Sequence, residues 1–284
     1  MLLGAVQLSP EVGNFEKNYS KIKGYIEEAG DLGIDLLLFP ELALSGYTMD
    51  EKILSSGWDF LKDRIGDLIR LSREYDMAIV FGTPRKVGGR LRNSVIVIVK
   101  KREVLFYDKT HLFRSEKDVF EPGQDFLVFK FKGVHFGISV CYETGFPEIS
   151  RVLALRGARV ILSPFAFGRT RWNIYDVATR SRAIENGAFL VASSTCGEGF
   201  MDFVGHSRIV HPSGKILAEL PEGEGLISAE IDPSEVYRYR YVEEGDSHAY
   251  FSNRKPNMYR EILRSENHEK TFVHPLQGKG SREF

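Results

Sequence analysis

Residues 33–40, Gly33-Ile34-Asp35-Leu36-Leu37-Leu38-Phe39-Pro40, return in outline at 157–164 as Gly157-Ala158-Arg159-Val160-Ile161-Leu162-Ser163-Pro164. In each, an aliphatic run without polar alternation stops at a proline. A strand with one wet face alternates; an unbroken run needs cover on both faces, so these segments belong to sheets buried between other layers. The correspondence extends to residues 77–83 and 188–195, each with a helical pattern before it and a hairpin pattern after it. Two similar sheet-and-helix layers follow, not two independent domains. Their shared interior is expected to be sheet on sheet, with helices outside.

Between these runs the chain alternates between the two periodicities. Residues 2–8 read as a strand, and Ile22, Tyr25, Ile26, Ala29 and Leu32 recur at helical spacing. A helix is expected over 59–75 on Leu61, Ile65, Leu68 and Ile69, then a strand over 77–82. Residues 94–99 and 104–107 flank a basic turn at 100–102, and 126–131 pairs with 134–140 around Lys132-Gly133. Pro147 starts a helix through Ala158, a strand covers 160–162, and a helix over 172–186 ends at Gly187. A strand over 188–192 and a hairpin of 203–210 with 215–220 complete the pattern. One domain is expected over 1–263, with 232–263 as an arm packed on the body or on a partner, and 264–284 as a polar, flexible tail.

A chain of 284 residues, 43% hydrophobic, has enough apolar content for one large core or two modest ones. The formal net charge of -1 gives no electrostatic reason to expect nucleic acid or an acidic membrane as partner. No stretch approaches the roughly 18 to 20 apolar residues of a membrane span, and residues 2–8 lack the flank and length of a signal peptide. Cys141 and Cys196 make neither a disulfide framework nor a CxxC pair, which fits the reducing cytoplasm. The seven histidines show no ligand spacing, so neither a metal nor another cofactor is expected. Small-molecule chemistry is the remaining expectation.

Three reactive side chains stand where apolar runs end: Glu41 after Phe39-Pro40, Lys109 after Tyr107-Asp108, and Cys141 after Ser139-Val140. Open α/β sheets expose groups to a ligand at such strand ends. A carboxylate, an ammonium and a thiol delivered there make an acyl-transfer site, in which Glu41 takes the thiol proton, Cys141 attacks and Lys109 neutralises the oxyanion. Each has an ordinary alternative: a lone cysteine is usually a small buried hydrophobe, and a lone lysine is usually solvated. Cys196 has no such company and reads as structural.

These islands resemble the motifs of the nitrilase, or carbon-nitrogen hydrolase, superfamily over roughly residues 2 to 260. Phe39-Pro40-Glu41 with Ser45-Gly46-Tyr47 is similar to its glutamate motif, and Tyr107-Asp108-Lys109-Thr110-His111-Leu112-Phe113 to its lysine motif. Gly137-Ile138-Ser139-Val140-Cys141-Tyr142-Glu143, running on to Phe146-Pro147-Glu148, is similar to its cysteine motif. Residues 182–187 and 205–210 add to the match. The resemblance implies an α/β fold, a four-layer α-β-β-α sandwich, usually paired through the helices of the cysteine-bearing sheet into an eight-layer dimer, so a homodimer or higher homo-oligomer is expected. It also implies a second glutamate between the lysine and the following Pro-Gly, for which Glu116 is the better match and Glu121 the competitor.

On that reading Cys141 gains thiolate character from the positive charge of Lys109. Lys109 and the backbone N–H of Tyr142 hold the oxyanion, and Glu116 orients Lys109 and the substrate nitrogen. Tyr47, His111, Tyr142, Glu143, Phe146, Phe165 and Trp172 are pocket candidates by adjacency to the motifs. Arg169 and Arg171 stand as a clamp for an anionic tail, or as an exposed basic turn. The leading function is hydrolysis of a small linear carboxamide, an ω-amide among the options. A nitrile or N-carbamoyl amine substrate at the same Cys141 is the alternative, followed by acyl transfer and by a binding protein without catalysis.

Overall fold

The computed structural model describes residues 1–99 and 103–263, so the basic turn at 100–102 and the tail 264–284 lie outside the described residues. The first layer runs β1 (Leu2–Gln7), α1 (Phe15–Asp31), β2 (Leu36–Leu38), α2 (Glu51–Lys62), α3 (Ile65–Glu74), β3 (Ala78–Val87), β4 (Arg90–Val99) and β5 (Glu103–Asp108). A short α4 (Glu116–Val119) leads to the second layer: β6 (Val128–Phe131), β7 (Val134–Ile138), α5 (Pro147–Leu155), β8 (Val160–Phe165), α6 (Trp172–Asn186) and β9 (Phe189–Ser194). A small ribbon of β10 (Cys196–Glu198) and β11 (Asp202–Val204) precedes β12 (Ser207–Val210) and β13 (Ile216–Leu220). Then β14 (Gly225–Glu230) returns to the first sheet, and α7 (Glu235–Tyr241) follows.

Among the described residues the strands form two six-stranded sheets, β14-β1-β2-β3-β4-β5 and β13-β12-β9-β8-β7-β6. The second order, reversed, repeats the first: three central parallel strands, an antiparallel pair on one side and an antiparallel edge strand on the other. The repeat seen at 33–40 and 157–164 therefore marks equivalent strands, β2 and β8. Period-two alternation sorts their side chains. Leu36, Leu38, Ala78, Val80, Val95 and Val97 face the second sheet, whereas Leu37, Ile79, Phe81, Ile96 and Ile98 pack under α1, α2 and α3. The second sheet is covered outside by α5 and α6, through residues such as Ile149, Leu153 and Ala183. The result is an α-β-β-α sandwich.

Three local expectations need correction. The helix expected over 59–75 is two helices: α2 starts earlier, capped by the Asp50 carboxylate on the N–H groups of Lys52 (2.9 Å) and Ile53 (3.1 Å). The chain turns at Asp63-Arg64, where the guanidinium lies 3.5 Å over the Phe60 ring and Leu61 and Leu68 both reach the core. The strand expected to stop at Gly82 runs on to Val87 and turns back through Gly88-Gly89, both at positive φ as a tight hairpin requires. Pro84 is tolerated because β2 pairs with β3 only as far as Val80, so no neighbour needs its missing N–H. Finally, Phe203 and Val204 belong to the ribbon with β10, and the expected hairpin is confined to β12 and β13.

Residues Met1–Ser252 pack as one unit. Within it α7 buries Val236, Tyr239 and Arg240, and the Arg240 guanidinium donates to the carbonyls of Asn186 (2.9 Å) and Ala158 (2.5 Å). From Asn253 the described residues form two 3-10 turns, Pro256–Met258 and Arg260–Leu263. No described helix is long and apolar enough to cross a membrane.

Gly82 is a packing point more than a hinge. A Cβ there would lie 2.4 Å from the Leu42 nitrogen and 2.6 Å from the Glu41 Cα, and backbone atoms cannot step aside cheaply. Gly82→Ala is expected to destabilise the protein by about 1–3 kcal/mol, read as a lower denaturant midpoint; an unchanged midpoint would show that the 40–42 loop gives way freely.

Candidate active site

Three strand ends converge on one ammonium. Glu41 follows β2, Lys109 follows β5, and Cys141 follows β7, which places two residues on one sheet and the third on the other. Lys109 is 0% exposed; its Nζ lies 2.7 Å from Glu41 Oε1 and 2.9 Å from Glu116 Oε2. A buried charge persists only when paired and hydrogen-bonded, and both carboxylates are in turn held. Glu41 accepts from Asn93 Nδ2 (2.8 Å) and the Ala166 N–H (3.1 Å). Glu116 accepts from the Tyr47 hydroxyl (2.7 Å) and the Phe113 N–H (3.0 Å). Its competitor Glu121 is elsewhere, paired with Arg92 at 2.8 Å.

Cys141 opens a 3-10 turn, Cys141–Gly145, and has φ +50°. That left-handed conformation is costly for a residue with a side chain and survives only where the surroundings impose it. The thiol lies at a cavity of about 210 Å³ walled by Phe165, Phe167, Tyr175 and Ile174, with Arg114 and Arg171 also lining it. Burial pushes the Cys141 thiol well above its ordinary 9.0; the nearby Glu41 and Glu116 charges add to the rise and outweigh the pull of Lys109. The thiolate character expected from Lys109 is thus corrected: burial and the two carboxylates favour the protonated thiol. Burial also raises Glu41 above 4.5, against the charge and hydrogen bond of Lys109 and a hydrogen bond with Cys141. Lys109 is raised by the two carboxylates despite its own burial, so it stays an ammonium.

The other expected residues divide. Phe165 and Tyr142 line the cavity with Cys141. His111 and Phe146, ring centroids 4.6 Å apart, line a neighbouring groove that shares Tyr142 as its wall. Tyr47 acts on Glu116 and not on the cavity floor. Glu143 points away: its carboxylate accepts from the N–H groups of Val140 and Thr110, both at 2.7 Å. Trp172 lies against His206, ring centroids 4.1 Å apart and tilted, outside the cavity lining, and Arg169 pairs with Asp202 at the surface. Of the two arginines it is Arg171 that reaches the cavity, its guanidinium 4.4 Å over Phe113 and 4.6 Å over Phe167. Its Nε is buried without a partner among the described residues.

Asn93, Phe113, Arg114 and Tyr175 were not anticipated as site residues. Asn93 carries no motif; its place opposite Pro84 in the β3-β4 ladder, which the sequence reading missed, brings it to Glu41. Tyr175 lies one helical turn after Trp172 on α6, where either aromatic satisfies the pattern. Among the described residues no group of three His, Cys, Asp or Glu side chains is placed to hold a metal.

The raised thiol pKa makes a stability statement. A group whose folded pKa lies above its unfolded value stabilises the fold below the unfolded pKa, and that contribution is lost as pH rises towards the folded pKa. The advantage of the wild type over Cys141→Ala in thermal unfolding is therefore expected to shrink above 9.0, by up to about 1.4 kcal/mol per pH unit. Parallel curves across that range would contradict a buried neutral thiol.

The model of the carbon-nitrogen hydrolase family matches residues 2–241. A nitrilase of Pyrococcus abyssi is 33% identical over 263 residues, covering 89% of this chain and 97% of that protein. An (R)-stereoselective amidase of a Pseudomonas species is 32% identical over 235 residues, covering 82% and 85%. Among solved structures, an amidase from Nesterenkonia sp. AN1 superposes with a TM-score of 0.80 at 26% identity, covering 93% of this chain and 100% of that one. One structure of that amidase carries acrylamide added at its active-site cysteine. With the motif order, the two-sheet architecture and these matches agreeing, the chain belongs to the carbon-nitrogen hydrolase family and is a hydrolase of non-peptide C–N bonds.

Proposed function

We propose that the protein hydrolyses a small linear carboxamide to a carboxylate and ammonia, with an ω-amide of a dicarboxylic acid as its preferred substrate. The observation that carries the reaction is the buried Lys109 ammonium held between Glu41 and Glu116 beside the Cys141 thiol. Glu41 removes the thiol proton as Sγ bonds to the amide carbon, and the carbonyl oxygen takes the negative charge. Lys109 Nζ and the Tyr142 N–H stabilise that oxygen. Glu41 passes the proton to nitrogen, the C–N bond breaks, and ammonia leaves a thioester. Glu41 then takes a proton from water as its oxygen adds to the thioester carbon; the C–S bond breaks and the proton returns to sulfur. A carboxyl group raised by burial suits both transfers near neutrality. Glu116 holds Lys109 in place throughout.

The ω-amide preference rests on Arg171, which lines an otherwise mostly apolar cavity with Arg114. A substrate carboxylate would supply its acceptor. Hydrolysis of a nitrile, which adds two waters through a thioimidate at the same Cys141 and gives a carboxylate and ammonia, is the second reading, favoured by the Pyrococcus relative being a nitrilase. Two further parts of the proposal have lighter support. A homodimer paired through the helices of the cysteine-bearing sheet fits the exposure of Ile174 (54%) and Val177 (62%) on α6, and a cytoplasmic site fits two free cysteines.

Ammonia release by the wild type and Cys141→Ala across short amides, ω-amides, ureido compounds and nitriles tests the reaction. Turnover of amides that disappears in the variant is the expected result; a preference for nitriles would select the second reading, and retained turnover would remove Cys141 from the mechanism. Arg171→Ala is expected to raise KM for an ω-amide by about ten-fold or more, a charge-assisted hydrogen bond being worth roughly 1.5–3 kcal/mol, while KM for a neutral amide of equal length changes little. Equal effects on both would refute the anion clamp.

A further inference from the structure

We propose that Glu143 is a positioning residue for the nucleophile: its carboxylate fixes the Cys141 backbone and sets the separation of Cys141 from Lys109. The assignment rests on the roles given above to those two residues. Glu143 is 0% exposed, and a carboxylate so placed must find several donors. Oε1 accepts from the Tyr107 hydroxyl, the Thr110 N–H and the Thr110 hydroxyl, each at 2.7 Å, and from the His111 N–H at 3.2 Å. Oε2 accepts from the Val140 N–H at 2.7 Å. The donors on one oxygen flank Lys109 in sequence, and the donor on the other immediately precedes Cys141. One rigid group of two oxygens thus joins the end of β5 to the end of β7, which lie in different sheets.

The same contact explains the backbone of Cys141. Glu143 N–H donates to the Val140 carbonyl at 2.9 Å, while Val140 N–H donates to the Glu143 carboxylate. The segment from Val140 to Glu143 is closed twice, once by backbone and once by side chain, with Cys141 at φ +50° inside it. Over-determination of this kind is what holds a side-chain-bearing residue in the left-handed region. Glu143 acts at one remove, since every group it touches is backbone or hydroxyl and none is the thiol or the ammonium.

The test uses iodoacetamide, an amide small enough for the cavity: Sγ bonds to its methylene carbon as the C–I bond breaks, iodide leaves and Glu41 takes the thiol proton. Saturation kinetics give a maximal capture rate, kinact, and a half-saturation constant, KI, for the wild type, Cys141→Ala, Glu143→Gln, Thr110→Val and the double variant. Glutamine keeps the shape but turns an NH2 group towards one set of donors. For Glu143→Gln, kinact is expected to fall about 10²-fold, the scale of a 1 Å misplacement, with KI unchanged. Thr110→Val should lose less, and the double variant should be no worse than Glu143→Gln alone, because both act through one contact. An unchanged kinact, or a raised KI with kinact intact, overturns the proposal in favour of packing or of direct ligand binding. If Glu143→Gln does not fold, Thr110→Val and Tyr107→Phe decide in the same way, each removing one donor from Oε1. Wild-type capture no faster than that of Cys141→Ala would overturn the nucleophile itself and this proposal with it, an outcome distinct from a normal wild type with an unaffected Glu143→Gln.

Discussion

A fully buried ammonium is the constraint around which the site is arranged. Lys109 is enclosed, and its charge is tolerated only because two carboxylates from separate segments lie within 3 Å. Each carboxylate is anchored in turn by a further layer of donors: Asn93 and Ala166 for Glu41, Tyr47 and Phe113 for Glu116. Two negative charges against one positive leave an excess of negative charge beside the thiol, which burial already disfavours as an anion. The same arrangement therefore favours a protonated sulfur and sets a carboxylate beside it.

The internal repeat explains where this happens. Glu41 follows β2 and Ala166 follows β8, strands that occupy equivalent places in the two sheets, and the Ala166 N–H donates to the Glu41 carboxylate at 3.1 Å. Equivalent strand ends meet across the sandwich, and the candidate site lies at that meeting point, as expected for carboxyl ends of parallel strands. The halves differ in what they deliver there. One contributes a carboxylate and an ammonium, the other a thiol and most of the cavity wall. Gly82 and Gly123 permit the closeness: a Cβ on either would meet the backbone of the Glu41 loop or of Asp108 at under 3 Å.

Buried strands were the most legible part of the chain, because a run without polar alternation has few other uses. Residues 33–40 and 157–164 located β2 and β8, and Gly187 located the end of α6. Glycine misled where it served packing: Gly82 reads as a strand terminator, yet β3 passes through it to Val87. That single error hid Asn93, which faces Glu41 only because β4 pairs with the extension of β3. Motif adjacency likewise brought in Trp172 and Glu143, and the position after the strand ending at Pro164 brought in Arg169; the fold turns all three elsewhere.

The sequence by itself determined which reactive groups stand at strand ends and that two similar layers bury them, since hydrophobic periodicity and strand termination are local properties. Their chemistry was decided only by tertiary structure. The thiol is raised and not lowered because desolvation and the balance of three charges depend on what surrounds a group, not on its neighbours in the chain. Likewise, two residues of spacing cannot reveal whether Glu143 faces a substrate or the backbone; the left-handed turn at Cys141 decides that, and it exists because two sheets are tied together there.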